Sequence, residues 1–476
     1  MARHDSRNPI NVSLIAIQLC NHHQVCVKIR LMRCTTNSNL PFHEMFNMRL
    51  VYRLLAVFLM TTFSLVAAAE NWPGWRGPRG DGTSTSKLLP LEWDAATGKN
   101  ILWKTPLPGT GHASPVIWGD HVFIATCDTE LHSRQLIALD RKSGKILWNR
   151  EVMKSRLEKK HSLNSFASST PATDGKLIYV TFFEAEDREI PAPNVGGARN
   201  IYPGKMIAAA YDFQGNLKWL VKPGDFISAH GFNTCPVLHK NLVILNGDHD
   251  GQSYIMALNK DTGETVWKTE RKYGIRSYAT PLLRTIDGQQ QLVVSGSKRV
   301  VSLNPNTGEV HWIVEGPTEQ FVASMVFDGN LFFVCAGFPT YHVMGIDPRG
   351  SGDVSDSHVK WHVTNVRCYV PSPVVVNNFL MVADDRGTAN CFSTKDGTRL
   401  WQDRLGNHFS ASLLTANGLA YLLADDGTMK IVKPGPVLQV VAENKLAEFC
   451  YASPAIAHNQ LFIRGEKHLF CIGKEK

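Results

Sequence analysis

Several signatures are missing from the sequence, and each absence removes a class of chemistry. Ten cysteines are present, yet there is no adjacent pair, no Cys-x-x-Cys and no Cys-x-x-Cys-His, so haem attachment and the common zinc sites lack support. Seven of them lie beyond residue 69: Cys127, Cys235, Cys335, Cys368, Cys391, Cys450 and Cys471. An odd, widely spaced set inside apolar strands reads as buried small residues with room for a bridge, not as a disulfide framework. No Gly-x-Ser-x-Gly elbow places a nucleophile. Asp248-His249-Asp250-Gly251 alternates carboxylates, but no bidentate Glu follows at the offset a calcium loop requires, so it reads as a turn between strands. No apolar run reaches the roughly 20 residues of a membrane span. The formal charge of +8 is also misleading, because residues 1–69 carry seven Lys/Arg and two Asp/Glu; without them it falls to +3. That balance is scattered and speaks against a nucleic-acid partner.

One short phrase is repeated along the chain. Asn259-Lys260-Asp261-Thr262-Gly263 leads to Trp267, Asp140 to Gly144 leads to Trp148, Asn304 to Gly308 leads to Trp312, and Lys395-Asp396-Gly397 leads to Trp401. In each the Trp follows the Gly by four residues, as it also does from Gly215 to Trp219. Asp or Asn opens such a turn by bonding its own backbone, and Gly takes the positive φ of a type I turn with a bulge. The strand that follows carries the large aromatic. A second signature, Ser114-Pro115, Thr170-Pro171, Cys235-Pro236, Thr280-Pro281, Ser372-Pro373 and Ser453-Pro454, with Ser324-Met325 and Ser412-Leu413 filling the gaps, opens each unit. Eight units of four strands and no helix pattern predict an all-β, eight-bladed propeller. After the last start only three strands remain. Ile101-Leu102-Trp103-Lys104-Thr105 precedes every start, so it is expected to complete the last blade and close the ring.

The domain organisation follows. Residues 48–69 have a basic start at Arg49 and Arg53, an apolar core and the small-residue exit Ala67-Ala68-Ala69, the pattern of a secretory signal peptide. Residues 1–47 before Met48 read as a start codon placed too early or as a disordered extension. Residues 70–100, with Trp72-Pro73-Gly74-Trp75-Arg76-Gly77, read as a strap packed on the propeller, and residues 101–476 as the propeller itself. The mature chain is expected in the periplasm or outside the cell, without a transmembrane anchor and as a monomer. The long segment 184–205 and the smaller 350–357 are loops, the latter expected to be inert.

The repeated Ala-Leu-Asn/Asp, Thr-Gly and Trp pattern resembles the pyrroloquinoline quinone (PQQ) propeller superfamily. Trp72 to Gly82, Ser169-Thr170-Pro171 and Asn246 to Gly251 are also similar to secreted PQQ-like propellers of planctomycete type. The resemblance implies that Trp103, Trp148, Trp219, Trp267, Trp312, Trp361 and Trp401 dock neighbouring blades. It leaves function open between cofactor-free, BamB-like scaffolds and quinoprotein oxidoreductases acting on alcohols or sugars. The dehydrogenases pair a vicinal disulfide with PQQ and calcium, and those positions have no match here, so no catalytic residue and no metal ligand is assigned. WD-repeat propellers are excluded because Trp93-Asp94 precedes the array and no repeat strand ends in Trp-Asp. The reading preferred is an exported scaffold binding a protein or peptide of the cell envelope, with a carbohydrate-binding or carbohydrate-cleaving propeller as a further alternative. Its candidate site is the ring of residues just before the inner strands: His112, Phe166, Phe232, Tyr278, Phe321, Tyr369, Phe409 and Tyr451. Arg276, Arg367, His230 and His408 are expected to bring polarity to that mouth. Replacing both arginines by Ala is expected to leave the melting temperature nearly unchanged.

Overall fold

The computed structural model describes residues 12–16, 30–34 and 70–474. The chain divides into two units, Met1–Ala68 and Ala69–Lys476. In the first, Val12–Ala16 pairs antiparallel with Arg30–Cys34; the proposed signal peptide lies outside the described residues.

The second unit is built of eight blade sheets following one another in chain order, with a further two-stranded pair, Ile190–Pro191 and Asn200–Ile201, in the long loop of the second. Blade 1 runs from Val116–Trp118 to Ile146–Lys154, blade 2 from Ala172–Thr173 to Leu217–Phe226, and blade 3 from Val237–His239 to Thr265–Glu270. Blade 4 starts at Leu282–Ile286, blade 5 at Val326–Phe327, blade 6 at Val374–Val376, blade 7 at Leu414–Ala416 and blade 8 at Ala455–Ala457. Ile101–Pro106 supplies the outer strand of blade 8, with Trp103 opposite Cys471. The ring is therefore closed by pairing the start of the array with its end, which leaves no inter-blade seam held by loops alone.

The repeat phrase forms the turn before each outer strand. Gly144, Gly215, Gly263, Gly308 and Gly397 all have φ between 72° and 80°, where a Cβ is costly. Asp140 Oδ1 accepts from the Ser143 amide at 2.7 Å and Asn259 Oδ1 from the Asp261 amide at 2.9 Å. Beside this turn the register slips by one residue in every blade, for example between Ala138 and Leu139 and between Ala257 and Leu258. The bulge turns the indole inward onto the next blade. Trp148 Nε1 donates to Phe213 O at 2.9 Å, Trp219 to Lys260 O at 2.9 Å, Trp267 to Pro305 O at 3.2 Å and Trp361 to Thr394 O at 3.0 Å. Trp103 and Trp401 reach Arg141 O and Gly435 O in the same way. The next blade's glycine lies flat on the ring: a Cβ on Gly308 would stand 2.5 Å from Trp267.

Two junctions depart from this rule. Trp312 bonds Gln291 Oε1 of its own blade at 3.0 Å, because blade 5 carries a longer loop where the glycine turn belongs. That loop pairs Gly352–Asp353 in parallel with Trp312 and Ile313 and buries Val354, so the segment expected to be inert is a fifth strand of blade 4. Blade 7's outer strand, Gln439–Lys445, has no Trp; there Asn444 receives the Trp93 amide at 2.7 Å and Trp93 itself is buried.

The segment before Ile101 is woven under the ring. Trp72 bridges Ile117 of blade 1, the Pro73 carbonyl accepts from Thr173 of blade 2, and Arg284 of blade 4 grips Asp81 at 2.6 Å. Trp75 donates to Ser324 of blade 5 and Arg76 to the Pro373 carbonyl of blade 6; Thr83–Ser84 pairs in parallel with Thr415 and Ala416 of blade 7, and the Glu70 carbonyl takes the His458 amide of blade 8. Seven blades are tied by about fifteen residues. The seven cysteines of the second unit are free and buried.

Candidate functional site

The inner strands all begin at the same end of the ring, so the residues just before them converge there. Their opening Ser and Thr side chains form a belt around the axis that the proline signature marked but did not explain. The Ser114 amide donates to Thr170 Oγ1 at 2.9 Å, Thr280 to Ser324 at 3.0 Å, Ser324 to Ser372 at 2.9 Å, Ser372 to Ser412 at 3.0 Å and Ser412 to Ser453 at 2.9 Å. At these five junctions a hydroxyl satisfies an amide of the preceding blade that no sheet bond reaches, whereas the buried Ser114 hydroxyl has no partner. Cys235 takes the same place in blade 3, accepting from the Thr170 amide through sulfur.

Above this belt lies a cavity of about 420 Å³ on the axis, with Trp75 of the strap in its wall. His112, His230, Tyr278, Tyr369, His408 and Tyr451 of the expected ring line it, joined by His161, Leu163, Gln320, Phe338 and Asp385, which sequence reasoning missed. Phe232, Phe321 and Phe409 instead fill the seams between blades, each no more than 4% exposed, and Phe166 lines a separate side cavity. Period-matched aromatics do not tell seam from mouth, because both positions need a large apolar side chain.

Neither expected arginine lines the cavity. Arg276 is buried, with both Asp250 oxygens 2.8 Å from Nη1, His230 Nδ1 3.2 Å from Nε and the Asn194 carbonyl 2.9 Å from Nη2. Its charge is neutralised within the protein, and the long blade 2 loop lies across it. Asp248 holds Arg271 in the same fashion at 3.0 Å, so both carboxylates of the Asp-His-Asp-Gly turn serve buried arginines. Arg367 is exposed, 6.0 Å from the Tyr341 ring centre.

The electrostatics of the wall follow from burial. Burial, with Arg464 and Lys160 nearby, pushes His112 down to about 3; burial and Arg276 push His230 down to about 4. Both imidazoles are neutral at neutral pH. Burial raises Tyr369 to about 12 and lifts Tyr278 too, so these hydroxyls are donors, not bases. Tyr369 donates to Gln320 at 3.2 Å; His408 Nδ1 lies 2.7 Å from Asp425. At the rim, Leu163 and Phe338 are each 47% exposed, and Phe449 is 53% exposed with its ring 6.4 Å from that of Tyr451. The site is apolar at the mouth, hydroxyl-rich below and nearly free of charge.

Among the described residues no group of three or more His, Cys, Asp or Glu is arranged to hold a metal. The cavity wall offers one carboxylate, Asp385, whereas a calcium ion takes six to eight oxygens. No two cysteines are neighbours in sequence. The residues present therefore do not fit PQQ held with calcium over a vicinal disulfide.

No curated protein matches the chain. Among solved structures, BamB from Moraxella catarrhalis is similar, with a TM-score of 0.54 at 12% identity over 78% of this chain and 99% of its own. A europium-containing methanol dehydrogenase is similar at a TM-score of 0.52 and 12% identity, over 83% of this chain and 90% of its own. At such identities the likeness is one of fold. The family model described as outer membrane protein assembly factor BamB matches residues 87–190, 197–338 and 341–432. With its repeats matched across most of the ring, the chain belongs to the BamB family of PQQ-like β-propellers.

Proposed function

We propose that this protein is an exported, non-catalytic scaffold that binds an apolar or aromatic segment of a protein or peptide in the cell envelope. The observation that carries the reading is the rim: Leu163 and Phe338 line the cavity yet stand exposed, Phe449 lies exposed beside the lining residue Tyr451, and the wall has no arginine. Exposed large apolar groups clustered at a concave mouth mark a docking site. His112, His230, Tyr278, Tyr369, His408 and Tyr451 form the floor on which a docked side chain rests. Export rests on the signal-like pattern of residues 48–69; Glu70, the residue after the proposed cut, is held by Arg79 at 2.8 Å, residues 70–100 act as strap and 101–476 as propeller. A monomer suffices for this mode of binding.

The test compares wild type with the Leu163→Ser, Phe338→Ser double variant. Immobilised on a matrix and exposed to solubilised envelope proteins, wild type is expected to retain a specific partner that the variant loses with an unchanged melt. Equal retention by both would overturn the site. A second reading, a PQQ-dependent oxidoreductase, draws on the fold likeness to the methanol dehydrogenase. A ligand at 100 times its dissociation constant adds about 2.7 kcal/mol to stability, so a clear rise in melting temperature with PQQ and calcium would replace the scaffold reading.

A further inference from the structure

Beside the axial cavity lies a second one of about 260 Å³, between blades 8, 1 and 2, lined by Gly111, His112, Lys160, Ser162, Phe166 and Arg464 among others. Its deepest group is Arg464, 1% exposed. Other buried arginines have acids: Arg134 has Glu158, Arg271 has Asp248, Arg276 has Asp250, and Arg76 feels Asp81. Among the described residues Arg464 has none. Its Nη1 donates to the carbonyls of Ala125 at 2.7 Å and Ala113 at 3.3 Å, its Nη2 has only Thr126 Oγ1 at 3.5 Å, and its Nε has no partner.

A buried guanidinium without a counter-charge is unfavourable unless an anion supplies it. Gly111 keeps the approach open, since a Cβ there would stand 2.8 Å from Arg464 Nη2. Lys160 adds a second cation on the wall, its Nζ 5.0 Å from the Phe166 ring centre, and Glu158 close by is already committed to Arg134 at 2.5 Å. The single carboxylate in the lining, Glu466, is exposed and admits only an anion that reaches past it.

We propose that this side cavity binds a small carboxylate- or phosphate-bearing anion, with Arg464 as the buried anchor and Lys160 as the entrance cation. The site does not depend on the partner reading. His112, Leu163, Asn164 and Tyr451 belong to both cavities, so a longer ligand anchored at Arg464 would extend onto the axis.

The mature protein is titrated with inorganic phosphate and, separately, with succinate at constant ionic strength, following heat and melting temperature. At least one probe is expected to bind with a raised melt, and Lys160→Ala, which leaves the core intact, to weaken it roughly tenfold as expected for one lost charge-assisted contact. Preference for phosphate or for succinate identifies the group recognised. A crystal soaked with the winning probe should place the anion on Arg464. No binding of either probe, or equal binding by Lys160→Ala with the anion elsewhere in the crystal, would overturn the site. Phe338→Ser alone, on a side chain that lines the axial cavity and not this one, should still bind the anion, so loss of the partner and loss of the anion are separate results.

Discussion

The two faces of this ring are built by different rules. On one, a five-residue phrase is copied from blade to blade, and each copy places a glycine under the preceding blade's Trp. On the other, around the cavity mouth, the connections between second and third strands range from the two residues Ser297–Lys298 to the segment 186–203, and only those of blades 6 and 7, Asp384 to Gly387 and Asp425 to Gly427, are alike in sequence. Seams must be the same if the blades are to repeat at a constant angle; mouths need only avoid blocking one another. Repetition therefore specifies the fold, while the site lies in what is not repeated.

The largest effect is expected on the repeated face. Trp267 is 8% exposed and bridges blades 3 and 4, so Trp267→Ala should destabilise by about 3 to 5 kcal/mol, read from chemical denaturation. A loss below about 1 kcal/mol would mean that the seams are not where the ring is held. Next comes Arg276→Ala on the mouth face. Removing the guanidinium strands Asp250, whose side chain is fully buried, at a cost of about 3 kcal/mol, the low end for a broken buried pair because the Asn194 side chain and the residue 276 amide still bond the carboxylate. That reverses the expectation from sequence. It also blurs the contrast between faces, since a mouth residue then matters to the fold; Arg367→Ala, on an exposed side chain, should leave the melt unchanged.

Much of the fold was legible because its causes are local. Gly263 and Trp267 lie four residues apart, the turn chemistry of Asn259 acts within three, and the count of strands after Ser453 demanded Ile101–Pro106 as its complement. What escaped notice acts across the chain. Trp75 meets Ser324 over 249 residues and Trp93 meets Asn444 over 351, and nothing in either neighbourhood advertises the other. The loop 350–357 was expected to be inert, yet it substitutes for the missing glycine turn at the blade 4 and 5 junction. At the site, one position per blade was expected around the axis, but Phe321 and Tyr369 are alike in pattern and differ in whether the seam or the cavity receives them.

The smallest effect is the sharpest test of the division. Phe449 is 53% exposed, stacks loosely on Tyr451 and is absent from the buried clusters. A side chain kept for folding would be covered; one kept for recognition stays out at a cost in solubility. Phe449→Ser should therefore change unfolding free energy by no more than about 0.5 kcal/mol, as for a surface substitution, while the variant becomes less prone to self-associate in sedimentation. Should it destabilise as Trp267→Ala does, the rim is part of the seam system, and the mouth loses the apolar feature on which partner binding is argued.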